Sequence, residues 1–106
     1  MALTFLRQQG LRHRCSNFRC RFGEIDLIME DGERVVFVEV RLRRHSGFGG
    51  AAASVTPTKQ RKLIQTAAIY ANTERLGHRP MRFDIVAFDG EAAEPEWLQD
   101  AFQADF

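Results

Sequence analysis

Apolar and polar residues alternate most regularly over residues 35–42, where Val36, Val38, Val40 and Leu42 share one face and Phe37, Glu39, Arg41 and Arg43 the other. A period of two in a run of β-branched residues predicts a strand. Residues 23–28, Gly-Glu-Ile-Asp-Leu-Ile, predict a second strand before it, and the weaker alternation of residues 15–21 predicts a third. At the N-terminus, Leu3, Phe5, Leu6 and Leu11 mark a short amphipathic helix that Gly10 should end. Thr56-Pro57 opens a longer helix, with Thr as N-cap and Pro at its first position. Leu63, Ile64, Ala67, Ala68 and Ala71 recur along it at helical spacing, and Gly77 is expected to close it. Residues 82–88 predict another strand, and residues 95–102, carrying Trp97, a short helix or strand. A helix, three strands, a helix and a strand imply an α/β domain with a mixed central sheet flanked by helices. Val36, Val38 and Val40 are expected to lie beneath the helix that begins at Pro57.

Glu30-Asp31-Gly32-Glu33 has hairpin chemistry, so residues 23–28 and 35–42 should pair antiparallel. A turn at Asp31-Gly32 sets Glu24 opposite Glu39. A turn at Gly32-Glu33 sets Asp26 opposite Glu39 and Glu24 opposite Arg41. Either register puts Glu24, Asp26, Glu39 and Arg41 on one face. Like charges facing each other across strands are destabilising, so three carboxylates converging on an apolar hairpin call for a cation. Magnesium takes oxygen ligands, commonly one or two carboxylates with waters and substrate phosphate. Asp26 and Glu39 provide two carboxylates and the Val40 carbonyl a third oxygen. The bland alternative is a solvent-facing hairpin with ordinary cross-strand pairs such as Glu24 with Arg41.

Charge is distributed unevenly. All 15 Lys and Arg lie at or before Arg82, with only seven of the 14 acids, while residues 83–106 hold the other seven acids and no Lys or Arg. A basic body with an acidic tail suits a polyanionic partner. Lys59, Arg61 and Lys62 crowd the first turns of the second helix, where cations oppose the helix dipole. With 106 residues, 44% of them hydrophobic, the chain suits one domain with a modest core. No apolar run approaches the roughly 20 residues of a membrane span, so no membrane partner is expected. The N-terminus has no signal pattern, and cytoplasm is the expected location. Cys15 and Cys20 fit no zinc spacing and are expected to be reduced and partly buried. The small-residue stretch 46–54 matches no phosphate-binding loop, and reads as a connection or a flap beside the acidic face.

Gly-Glu-Ile-Asp-Leu-Ile followed by Val-Phe-Val-Glu-Val-Arg resembles the YraN-type family of small bacterial proteins. More broadly it resembles the PD-(D/E)xK nuclease superfamily, including archaeal Holliday-junction resolvases. Asn17, Cys20, Phe48-Gly49, Lys59, Arg82-Phe83-Asp84 and Ala101-Phe102 share the small family's pattern, so the resemblance covers nearly the whole chain. It implies a restriction-endonuclease-like fold with an α-β-β-β-α-β core, a nucleic-acid substrate, DNA foremost, and Mg²⁺ or Mn²⁺ as cofactor. It assigns Asp26 and Glu39 as metal-binding acids and Arg41 as the basic residue of the motif; Glu24, on the same face, and Lys59, at the start of the second helix, are expected as accessory residues. Arg43, Arg44 and Lys62 complete the expected nucleic-acid contacts. The superfamily usually has Lys where this chain has Arg41, and its first helix is usually longer and carries a Glu, so the first helix here reads as truncated. Arginine keeps the charge but is never deprotonated. Three readings follow: a metal-dependent DNA endonuclease, a non-catalytic nucleic-acid-binding relative, and a protein-interaction module using the acidic tail with Trp97, Phe102 and Phe106. A homodimer is compatible with each.

Overall fold

The computed structural model describes residues 1–43, 53–89 and 94–104, with the side chain of Arg43 left out. Arg44, Phe48-Gly49 and most of the small-residue stretch, together with Phe106, lie outside the described residues. The elements are α1 (Ala2–Gln8), β1 (Arg12–Cys20), β2 (Gly23–Asp31), β3 (Arg34–Arg43), α2 (Pro57–Thr73), β4 (Met81–Asp89) and β5 (Glu96–Phe102). The five strands form one sheet in the order β1-β2-β3-β4-β5. All neighbours are antiparallel except β3 and β4, which run parallel and are joined through α2. This is the expected α-β-β-β-α-β order of a mixed sheet, with the terminal element a fifth strand. Among the described residues no helix is long and apolar enough to cross a membrane.

The helices α1 and α2 end in the same way. Gly10, at φ +96°, follows α1, and the Leu11 N–H returns to the Leu6 carbonyl at 3.1 Å. After α2, Leu76 N–H bonds the Ala71 carbonyl at 2.8 Å and Arg75 takes the left-handed position at φ +58°. These are Schellman closures, the second with Arg where Gly is usual. The expected stop at Gly77 is therefore two residues late. Buried Leu76 supplies the apolar contact that fixes the closure without glycine.

Two cores cover the two faces of the sheet. On one, Leu63, Ala67, Tyr70 and Ala71 of α2 pack on Ile25, Ile28, Val35, Phe37, Phe83 and Ile85. On the other, Ala2 and Leu6 of α1 pack with Leu27, Met29, Val36, Val38 and Val86. Val36 and Val38 thus lie under α1, with Val40 packed at the edge of the same cluster, and the expectation that α2 covers them is wrong. Strand β3 is central and apolar on both faces, so its alternation does not say which helix covers which. The face that carries Phe37 and Glu39 is the one beneath α2.

A polar knot joins β4 to β5. Asp84, 1% exposed, accepts from Arg82 Nε at 3.0 and 3.2 Å, from Trp97 Nε1 at 3.0 Å and from the Asp100 N–H at 2.9 Å. Pairing passes from Phe83↔Phe102 to Ile85↔Leu98, so residues 99–101 bulge opposite Asp84, with Asp100 at φ +54°. The carboxylate satisfies the amide that the bulge releases from the ladder.

Candidate metal and nucleic-acid site

The β2–β3 hairpin closes with Asp31 opposite Arg34, so its turn is Gly32-Glu33, with Gly32 at φ +61°. The ladder runs from there to Leu27↔Val38 and stops. If continued, it would pair Val40 with Ile25. Instead the Val40 N–H donates to Asp26 Oδ2 at 2.8 Å. Side-chain alternation also breaks here, since Ile25 packs on the α2 side and Leu27, two residues on, on the α1 side. On β1, Asn17 takes the left-handed conformation at φ +54°, between Ser16↔Leu27 and Phe18↔Ile25. Asn is among the residues that tolerate it. Asp26 therefore sits where the β2–β3 pairing ends, its carboxylate accepting the strand amide that a β2 carbonyl would otherwise take.

A cleft of about 490 Å³ opens at this point, lined by Gly23, Glu24, Asp26, Glu39, Val40 and Arg41 from the hairpin and by Thr56, Thr58, Lys59 and Lys62 from the start of α2. All four residues expected on one face line it. Glu39 is its most enclosed acid, with a side chain 5% exposed. Two cations meet at its Oε2: Lys59 Nζ at 2.5 Å and Arg41 Nη1 at 3.5 Å. Asp26 and Glu39 line the same cleft, with the Asp26 carboxyl near enough to act on Glu39. Burial pushes the Glu39 carboxyl above its ordinary range, the neighbouring Asp26 pushes it the same way, and Lys59 opposes both.

Lys59 reaches Glu39 because α2 begins above the cleft. Thr56 caps the helix by accepting the Lys59 N–H at 3.2 Å, which fixes the backbone of the third helical residue. The cation that opposes the helix dipole in sequence is thus the partner of a buried carboxylate. Lys62 lines the same cleft one turn further on and is exposed.

Glu24 departs from expectation. It lines the cleft, but its carboxylate is bonded to Arg19 Nε across β1 rather than to Arg41. Among the described residues no three His, Cys, Asp or Glu side chains are grouped to hold a metal. The three converging carboxylates are therefore two, because Glu24 follows the β1 register, where it sits opposite Arg19. Asp26 and Glu39, with Val40 beside them, remain a hard-oxygen set of the kind magnesium or manganese takes alongside water. Arg43 continues β3, while Arg44 falls outside the described residues. Sequence reasoning missed Thr56 and Thr58 as cleft residues. The Thr56-Pro57 cap pointed to them once α2 was known to start at the acids.

The model of the family described as "Uncharacterised protein family UPF0102" matches residues 1–88. The chain is 59% identical over 104 residues to a UPF0102 protein of Alkalilimnicola ehrlichii, covering 97% of this chain and 81% of that one. It is 52% identical to one of Psychromonas ingrahamii over 96% of this chain and 83% of the other. With one of Methylobacillus flagellatus it shares 50% identity over 98% of this chain and 91% of the other. A family model spanning most of the chain, and relatives similar along nearly all of it, leave a single conclusion: this chain belongs to the UPF0102 family.

Proposed function

We propose that this protein binds DNA across the Asp26–Glu39 cleft and is a metal-dependent endonuclease of the PD-(D/E)xK type, its activity weakened by Arg41. The observation that carries this reading is that Asp26 shares one cleft with a buried Glu39 whose charge is met by Lys59 and Arg41. A buried carboxylate beside a second acid is costly unless cations compensate it. Such sites occur where function requires a shifted charge balance. Asp26 and Glu39 would hold Mg²⁺ or Mn²⁺, with the Val40 carbonyl as a further oxygen. When bound, the ion supplies positive charge to a phosphate and makes a water more acidic. The protein's own contribution is positional. Arg41 offers two parallel donors to a phosphate and cannot accept a proton. Lys59 and Lys62 add charge from the helix side, and Thr58 a hydroxyl at the rim.

The test is incubation with duplex, single-stranded and four-way-junction DNA, with and without Mg²⁺ or Mn²⁺, reading binding and cleavage separately. Binding should weaken with salt, each phosphate contact adding about 0.9 to the slope of log affinity against log salt on duplex DNA. The Lys59→Ala, Lys62→Ala double variant should flatten that slope. Cleavage, where present, should require the metal and both acids. Absence of DNA binding at low salt would reject this reading in favour of a protein-interaction module. Salt-dependent binding without cleavage in any metal would leave a non-catalytic DNA-binding protein.

A further inference from the structure

Two-residue turns favour Gly, Asn and Asp, which tolerate the backbone angles or hydrogen-bond locally. The β1–β2 connection uses none of them. Cys20 pairs with Gly23, so its tip is Arg21-Phe22. Phe5, Phe18, Phe37, Phe83, Phe88 and Phe102 each pack in one of the two cores, but Phe22 packs in neither. It is only partly buried, and the Arg21 guanidinium lies over its ring, 4.9 Å from the ring centre. A ring placed there adds nothing to either core.

The tip is nevertheless held firmly. The Phe22 N–H donates to Cys20 Sγ at 3.4 Å, and that sulfur lies 3.6 Å from Thr66 Oγ1. Thr66 in turn donates to the Lys62 carbonyl at 2.8 Å. A Cβ added to Gly23 would stand 3.6 Å from Thr66 Oγ1 and 3.8 Å from Lys62 Cβ, so the turn rests on the stretch of α2 that carries Lys62. Gly23, Glu24 and Lys62 all line the acidic cleft. An aromatic ring with a guanidinium over it is therefore carried by the residue next to Gly23, one of the lining residues of that cleft.

Building on the DNA-binding reading, we propose that Phe22 and Arg21 form a stacking platform for an unpaired base whose backbone enters the Asp26–Glu39 cleft. Aromatic rings bind bases through their π faces with little regard to sequence, and arginine adds a cation–π contribution. Bases inside a continuous duplex already stack on each other. A base at a fork, flap or gap has a free face. The platform thus selects DNA that is locally unpaired beside the bound phosphate.

The test compares the full chain with Phe22→Ala and Phe22→Trp on two DNAs of equal length: a continuous duplex, and a forked duplex with 2-aminopurine at the first unpaired position. The natural chain should prefer the fork and change the 2-aminopurine fluorescence. Phe22→Ala should bind the fork about tenfold more weakly, a stacking contribution of ordinary size. Its affinity for the continuous duplex should stay within about twofold, and Phe22→Trp should keep the preference. Circular dichroism of each variant should match the natural chain, since the side chain lies outside both cores. Equal binding of both DNAs, or a fork preference that survives in Phe22→Ala, would overturn the platform and leave the DNA-binding reading intact. Failure of the natural chain to bind either DNA would overturn both.

Discussion

Lys59 Nζ lies 2.5 Å from Glu39 Oε2, placing the ammonium of a residue at the start of α2 on the most enclosed carboxylate of a cleft built mainly by β2 and β3. The same oxygen is among those a metal ion would take. Lysine and metal should therefore compete for it. The lysine side chain is 40% exposed, so the pair contributes only about 0.5–1 kcal/mol. Lys59→Met should tighten Mn²⁺ binding about two- to fivefold in calorimetric titration at neutral pH, while weakening DNA binding. Asp26→Asn should abolish the metal site and keep the fold, because the amide oxygen can still accept the Val40 N–H. Manganese affinity unchanged in both variants would place any metal elsewhere.

Asp84 should be the most sensitive polar position in the fold. It holds the buried Arg82, the Trp97 indole and the Asp100 amide at once. Among the described residues Arg82 reaches one other acid, Asp31, at 2.9 Å, and its Nη2 has no hydrogen-bond partner. Asp84→Ala would leave a buried cation short of its nearest counter-charge, at a cost of about 3–5 kcal/mol. Urea unfolding followed by the fluorescence of Trp97 measures it. A loss below about 1 kcal/mol would mean that Asp31 alone satisfies Arg82.

The pH dependence of stability should have two limbs with separate owners. Glu30 is held below the ordinary carboxylate range, chiefly by its hydrogen bond to Arg79, with Arg14 and Arg12 acting in the same direction. A depressed carboxyl stabilises fully above the unfolded value near 4.5, and that stabilisation is lost as pH falls through the folded value. Glu39 is raised, chiefly by burial, so it contributes nothing below 4.5 and destabilises as pH climbs through its folded value. Glu39→Gln should flatten the fall on the alkaline side, and Glu30→Gln the fall on the acid side, costing about 1 kcal/mol at neutral pH. Unfolding series from pH 3 to 8 distinguish them. An alkaline limb that persists in Glu39→Gln would mean that Lys59 fully compensates the buried charge.

Much of this arrangement was legible in the residues, for identifiable reasons. A period of two and Asp-Gly-Glu turn chemistry put Glu24, Asp26, Glu39 and Arg41 on one face in either register, and all four do line the cleft. Which register applies depends on a single turn, and residue types alone left it open. The fate of Glu24 was not legible, because it depends on β1, whose weak alternation is broken by Asn17 in a left-handed conformation. Nor was the assignment of helices to faces, since a central strand apolar on both sides carries no mark of which helix covers it. The Lys59–Glu39 contact joins positions 20 residues apart. Its only trace was a lysine placed against the helix dipole.

Arg41 divides nuclease from binder most sharply. Its guanidinium, about one-third exposed, stands 3.5 Å from Glu39 and lines the cleft, where it can hold a phosphate through two donors. It cannot take up a proton, so it can orient and neutralise but not activate water. Cleavage by the natural protein should therefore be weak or absent. Arg41→Lys should raise it, because a lysine at this site can change its protonation state. Arg41→Ala should weaken DNA binding and lower the salt slope by about 0.9, the loss of one phosphate contact. Both variants should fold normally, as the side chain belongs to neither core. The measurement is cleavage of the preferred DNA in Mg²⁺ and Mn²⁺, alongside binding at several salt concentrations. Robust cleavage by the natural protein, undiminished in Arg41→Ala but abolished in Glu39→Ala, would transfer the cation's role to Lys59, the other positive group on the same carboxylate.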